Sequence, residues 1–181
     1  WQVTGVQTCA LPILKGKFYA ERNWEVMDMS QVEEFVKIVE GVKDHDVKVV
    51  IVTGKPGSGK SKVLREAAEE KKWDYIDCRL LITEKFLEVP PGERQAKAPE
   101  MMADILEGYD SEVILLDRLQ TLFVPVFHID VDALLHKLSE KFVIVTAWPG
   151  YLEEGKLCYD KFDGTESIRI SSEGFTVWNV D

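Results

Sequence analysis

The chain has 181 residues, with 22 Lys and Arg against 32 Asp and Glu, a formal net charge of −10 at pH 7. This acidic balance argues against direct, nonspecific DNA binding, which depends on neutralising phosphates with Lys and Arg. Three cysteines without a CxxC spacing are too few for a disulfide framework and point to a cytoplasmic protein, and no apolar run reaches the roughly 18 residues expected of a membrane span.

The N-terminal stretch does not read as part of a domain. Val3 to Ile13, VTGVQTCALPI, carries no helical or strand period and lacks the basic and small-residue flanks of a signal peptide. Its codon-for-codon back-translation resembles a widely used short-read sequencing adapter. Residues 3–13 are therefore expected to be a library scar, and residues 14–26 translated leader. The native start is expected at Met27 or Met29. Trp24-Glu25-Val26 admits a ribosome-binding-site-like codon sequence, and Ser30-Gln31-Val32-Glu33 forms a capping box directly after Met29. On this reading residues 1–26 are non-native and residues 27–181 form a single domain. Cys9 drops out, leaving Cys78 and Cys158, and the charge becomes −11, because the excluded part carries Lys15, Lys17 and Arg22 against Glu21 and Glu25. Removing residues 1–26 is expected to leave ligand binding intact.

Val32, Phe35, Val36 and Val39 recur at helical spacing and predict an amphipathic helix over Ser30 to about Val42, with Gly41 near its stop. Val47 to Thr53, VKVVIVT, is the β-branched run of a strand covered on both faces. Ser61 to Lys72 reads as a helix and Trp73 to Cys78 as a second strand. Helices are expected over Leu81 to Glu88 and Pro99 to Gly108, split by the breaker Pro90-Pro91-Gly92. Val113 to Leu116 is a third strand ending at Asp117. Val131 to Glu140 is a helix, and Phe142 to Ala147 a fourth strand closed by Trp148-Pro149-Gly150. The tail, around Ile168 and Phe175, should supply one or two edge strands or a hairpin turning at Ser172-Glu173-Gly174. Strands alternating with helices imply an α/β three-layer sandwich around a parallel sheet of about five strands.

The first strand runs into GKPGSGKS, Gly54 to Ser61, and then a helix. This is the GxxxxGK[ST] phosphate-binding loop (P-loop) in its required strand-loop-helix setting. Gly54, Gly57 and Gly59 allow backbone conformations that strain other residues. With Pro56, Ser58 and Lys62 they form the loop that would close on phosphate oxygens at a positive helix end. Lys60 would reach the β and γ phosphates, and the Ser61 hydroxyl would ligate Mg²⁺. A ligand-free turn would need neither residue.

Asp117, at the end of an apolar strand, sits where a Walker B carboxylate would hold Mg²⁺; an Asp that only caps the next turn is the alternative. One strand between the P-loop strand and this one favours the additional-strand ATPase layout, with sheet order 5-1-4-3-2. Thr146 then falls where a polar residue would sense the γ-phosphate, unless it is there for β-propensity alone. Arg118 stands where a water-activating Glu usually follows, so turnover is expected to be low or to use another group. Gln120 could orient water, or be a solvated surface residue. An arginine finger from a neighbouring subunit of an oligomer would come from Arg94, Arg118 or Arg169. No Asn/Thr-Lys-x-Asp guanine signature is present, leaving ATP as the default nucleotide. His128, Asp130, Asp132 and His136 in HIDVDALLH have metal-ligand types, but an Asp capping the following helix explains them more simply. Trp73, Trp148 and Trp178 read as core or sheet-edge aromatics.

The combination of GKPGSGKS, YIDCRL, the PPGER loop, VILLDRLQTLF and VTAWPG followed by GKLCY resembles the BrxF family. These are small P-loop proteins of type 3 BREX bacteriophage-exclusion systems, and the resemblance covers most of residues 45–160. It implies an ATP-binding component of antiviral defence acting with the system's large ATPase, methyltransferase and phosphatase-like proteins. Two other functions fit the motifs. One is a small-molecule kinase with PPGERQAK as a lid over the phosphates, and the other a nucleotide-gated assembly module that does not hydrolyse.

Overall fold

The computed structural model describes residues 31–181. The expected scar, the leader, Met27, Met29 and the cap at Ser30 lie outside the described residues. Helix α1 covers residues 31–41. It is followed by β1 (Val49–Thr53), α2 (Lys60–Lys71), β2 (Asp74–Asp77), α3 (Glu84–Leu87), α4 (Pro91–Leu106), β3 (Val113–Asp117), α5 (Val131–Ser139) and β4 (Val143–Ala147). The chain then forms β5 (Tyr151–Glu153), β6 (Lys156–Asp160), β7 (Ser167–Ser171) and β8 (Thr176–Asn179).

A five-stranded parallel sheet is ordered β2-β3-β4-β1-β8. Counted along the chain within this sheet, that is 5-1-4-3-2, as the sequence order of strands predicts. Every residue of VVIVT in β1 is buried, because helices cover both faces and alternate side chains enter different cores. Ile51, Ile114, Leu116 and Ile144 face Met102 and Leu106 of α4 and Leu134, Leu135 and Leu138 of α5. Val50, Val52, Leu115 and Val145 face Phe35 and Val39 of α1 and Leu64 and Ala67 of α2. Each fully buried aliphatic or aromatic side chain contributes about 1.5–3 kcal/mol, so the two apolar layers fix the register that aligns the strand ends.

Three expectations are corrected. Pro91 does not break the chain but opens α4, where a missing N–H is no loss. The helix continues through Pro99, held by the burial of Arg94, Ala98, Met102, Ala103 and Leu106. The segment expected as one helix over Leu81 to Glu88 divides into a 3-10 turn at Cys78–Leu81 and the short α3. Thr83 starts the latter by accepting a hydrogen bond from Phe86 N at 3.2 Å.

In the tail, the strands at Ile168 and Phe175 do not pair with each other. β7 pairs antiparallel with β6 in a separate three-stranded sheet ordered β5-β6-β7, while β8 lies parallel to β1 at the edge of the main sheet. The hairpin instead joins β5 to β6 through Glu154 and Gly155, both at positive φ (48° and 73°), the backbone that two-residue hairpin turns require. The Trp-Pro-Gly element seats it. Trp148 is fully buried and donates from Nε1 to Cys158 O at 2.8 Å. A Cβ on Gly150 would lie 1.8 Å from that same carbonyl oxygen.

Candidate functional site: a phosphate-binding loop beside a carboxylate

The loop between β1 and α2 is built on residues that reach unusual backbone geometry. Gly54, Gly57 and Gly59 have φ of 149°, 82° and 91°, which side-chain-bearing residues rarely adopt. At Gly54 a Cβ would also stand 2.6 Å from Ser58 Oγ. Pro56 and Gly57 are exposed at the tip, and Ser58 N donates to Lys55 O at 3.0 Å to close the turn. Gly59 caps α2 without a side-chain hydrogen bond, and the first turn of α2 carries no acidic residue. Such a helix end keeps its positive partial charge for an anion.

Lys60 folds back over the loop, its Nζ donating to Gly54 O at 2.6 Å and Lys55 O at 3.0 Å. Ser58 Oγ is buried and finds no hydrogen-bond partner among the described residues, an orphaned polar atom of the kind a ligand satisfies. Lys62 points outward into an ion pair with Glu66 at 3.7 Å.

Ser61, on the first turn of α2, donates from Oγ to Asp117 Oδ1 at 3.1 Å. The second oxygen, Asp117 Oδ2, accepts from the Tyr75 hydroxyl at 2.5 Å. Burial, reinforced by that bond, pushes the Tyr75 hydroxyl up to about 12, so it remains a donor at neutral pH. A serine hydroxyl and a carboxylate are hard oxygen donors of the type Mg²⁺ takes beside phosphates. Asp77 is paired in register with Asp117. The Arg79 guanidinium holds its carboxyl below the usual carboxylate range, with Arg118 adding at 3.4 Å.

Thr146 lies fully buried in β4 and donates to Leu116 O at 2.9 Å, securing the backbone one residue before Asp117. Gln120 is exposed on the 3-10 turn Leu119–Phe123. Arg94 is not placed as a finger or lid residue. It is buried and donates to Val89 O, Val126 O and Leu87 O at 2.9, 2.7 and 2.7 Å, so the expected lid PPGERQAK is the cap and first turns of α4, anchored by Arg94. Arg169 is tied to Asp160 at 2.8 and 3.0 Å, which leaves Arg118, 3.4 Å from Asp77, as the finger candidate near the site. Asp130 caps α5 by accepting from Ala133 N at 3.1 Å, and no group of three or more His, Cys, Asp or Glu among the described residues is placed to hold a metal. Trp178 packs against Phe35 with ring centroids 5.1 Å apart, so it and Trp148 are core residues.

On the other flank of the loop lies a cavity of about 730 Å³, bounded by Thr53 to Pro56, by Pro149 to Leu152 and by the end of β8 at Asn179. Its wall is the β5–β6 hairpin, which sequence reading did not anticipate. Tyr75 was missed too: WDYIDC identifies a strand, but only strand register places its hydroxyl on Asp117.

No family model and no curated protein matches the chain. Seven solved chains match in structure. One is that of C. elegans PCH-2, with a TM-score of 0.40 and 15% identity, covering 84% of this chain and 42% of that one. The chain thus spans less than half the length of that protein, and likeness at this level leaves function to be read from the site itself. No helix among the described residues is long and apolar enough to cross a membrane.

Proposed function

We propose that this protein is a P-loop nucleotide-binding protein of the additional-strand class that takes Mg-ATP. Its turnover is low unless partners stimulate it, and it serves a BREX-type antiphage system in the cytoplasm. The observation that carries the nucleotide reading is the convergence of Lys60, Ser61 and Asp117 at the carboxyl ends of β1 and β3. The 5-1-4-3-2 sheet order supports the class, and the BREX assignment and its partners rest on the resemblance of the motifs.

Each residue has a defined task. The loop amides and the N-terminus of α2 bind phosphate oxygens, and Lys60 exchanges its two loop carbonyls for the β and γ phosphates. Ser61 and Asp117 would hold Mg²⁺, which supplies charge neutralisation between phosphate oxygens when bound. Tyr75 keeps one carboxylate oxygen of Asp117 fixed.

Arg118 in place of a second carboxylate favours low intrinsic hydrolysis, and the same substitution supports the non-hydrolysing module as the alternative. The kinase reading loses its lid, because Arg94 is buried against three carbonyls. ATP hydrolysis measured alone and with candidate partner proteins tests the proposal. Partner-stimulated phosphate release supports it, and phosphoryl transfer to a small acceptor without partners contradicts it.

A further inference from the structure

The structure assigns the cavity beside the P-loop to the nucleoside half of the nucleotide, and we infer that Asn179 selects adenine there, with Tyr151 as the platform under the base. This rests on the nucleotide reading above. A triphosphate anchored on the loop must direct its sugar and base to one side of it. On the β3 side the strand ends carry Asp77, paired with Arg79 at 2.7 Å and Arg118 at 3.4 Å, and beside it Asp117, held by Ser61 and Tyr75. On the β8 side lies open space, bordered by the same loop residues Thr53, Gly54 and Lys55. The volume of about 730 Å³ falls within the about 300–1,000 Å³ of ligand pockets.

The lining has the chemistry of a base site. Tyr151 and Leu152 are 44% and 45% exposed at the cavity wall, an aromatic ring and an aliphatic side chain on a hairpin fixed by Trp148 and Gly150. The Tyr151 ring is held in place, its hydroxyl donating to Asp160 Oδ2 at 2.8 Å, with the Arg169 guanidinium 5.8 Å from the ring centroid. A held aromatic face stacks on a base with little further loss of freedom.

Asn179, at the carboxyl end of β8, accepts from Thr53 Oγ1 through Oδ1 at 3.5 Å. That hydroxyl has a nearer acceptor in Trp178 O at 3.3 Å, so the exposed amide keeps its oxygen and its NH₂ group for a ligand. A side-chain amide offers one donor and one acceptor side by side, the complement of the adenine edge that presents an amino group next to a ring nitrogen. The matching edge of guanine presents two acceptors, N7 and O6, one of which would face the amide oxygen. The carboxylate of Asp181, which accepts from Lys55 N at 3.2 Å, lies between loop and cavity as an acceptor for ribose hydroxyls.

The test is competition binding of ATP, GTP and inorganic tripolyphosphate, each with Mg²⁺, to the full chain and to Asn179→Ala and Tyr151→Ala. Both changes are at exposed positions, and circular dichroism checks the fold. The unmodified protein should prefer ATP to GTP and to tripolyphosphate by about tenfold. Asn179→Ala should abolish the ATP preference over GTP, and Tyr151→Ala should weaken both nucleotides about tenfold. Tripolyphosphate affinity should stay unchanged in both. Unchanged ATP affinity and selectivity in the two variants, with tripolyphosphate still bound, overturns the pocket assignment while leaving the P-loop reading standing. Failure of the unmodified protein to bind tripolyphosphate or ATP overturns both.

Discussion

Ser61 Oγ and Asp117 Oδ1 lie 3.1 Å apart across 56 positions of sequence. Neither residue is adapted to the other by local structure. One opens α2 and the other closes β3, and parallel pairing of β1 with β4 and of β4 with β3 brings the two ends level. Removing the carboxylate should therefore uncouple metal from nucleotide. Asp117→Ala is expected to reduce Mg²⁺-dependent ATP affinity by at least about tenfold, with little effect on affinity measured in chelator. Titration calorimetry with and without Mg²⁺ makes the comparison.

Tyr75→Phe deletes the donor to Asp117 Oδ2 and keeps the ring. A hydrogen bond to a charged group is worth about 1.5–3 kcal/mol, reduced here because the pair is only partly buried, so a loss of about 1 kcal/mol is expected in urea denaturation. The hydroxyl titrates higher in the folded protein, at about 12, than in the unfolded chain, where a tyrosine titrates at about 10. The stability it contributes is thus complete below the unfolded value and lost as pH rises from there through the folded one. Denaturation midpoints of the unmodified protein and Tyr75→Phe should converge over that alkaline interval. A constant gap between them would contradict the assignment.

The P-loop, the five strands of the main sheet and their order were legible because each rests on a local pattern. GKPGSGKS has a fixed spacing, and VKVVIVT and VILLD are apolar throughout, as strands covered on both faces must be. Tyr75 was not legible as a site residue: the strand order puts β2 beside β3, but the register that lays the Tyr75 hydroxyl on Asp117 is a tertiary fact. Arg94 looked like a lid residue for the same reason: its three carbonyl partners come from Leu87, Val89 and, more than thirty positions away, Val126. Pro99 inside α4 shows packing overriding propensity. The β5–β6 hairpin turns on Glu154-Gly155, inside the charged run from Glu153 to Lys156 and between strands of only three and five residues, too short to show a clear alternation.

Arg94→Ala would leave those three partly buried carbonyls without this donor. A destabilisation of about 3 kcal/mol or more is expected from thermal or denaturant unfolding, while ATP turnover per folded molecule stays within about twofold of the unmodified protein. A selective loss of turnover at unchanged stability would restore Arg94 as a finger.

Gly150→Ala places a methyl group against the Cys158 backbone, with 1.8 Å of separation before relaxation. The hairpin must shift, at about 3 kcal/mol. Hydrogen exchange should show early opening of Tyr151–Glu153 and Lys156–Asp160, with β1 and β4 retaining protection.

The central claim is that the loop between β1 and α2 binds a nucleoside triphosphate through Lys60. Calorimetric titration of Mg-ATP into the unmodified protein and Lys60→Ala tests it most directly. Saturable binding by the former, and affinity at least about tenfold weaker in the latter with an unchanged circular dichroism spectrum, is the predicted result. Equal affinity in the two proteins, or no binding to the unmodified one, would contradict it.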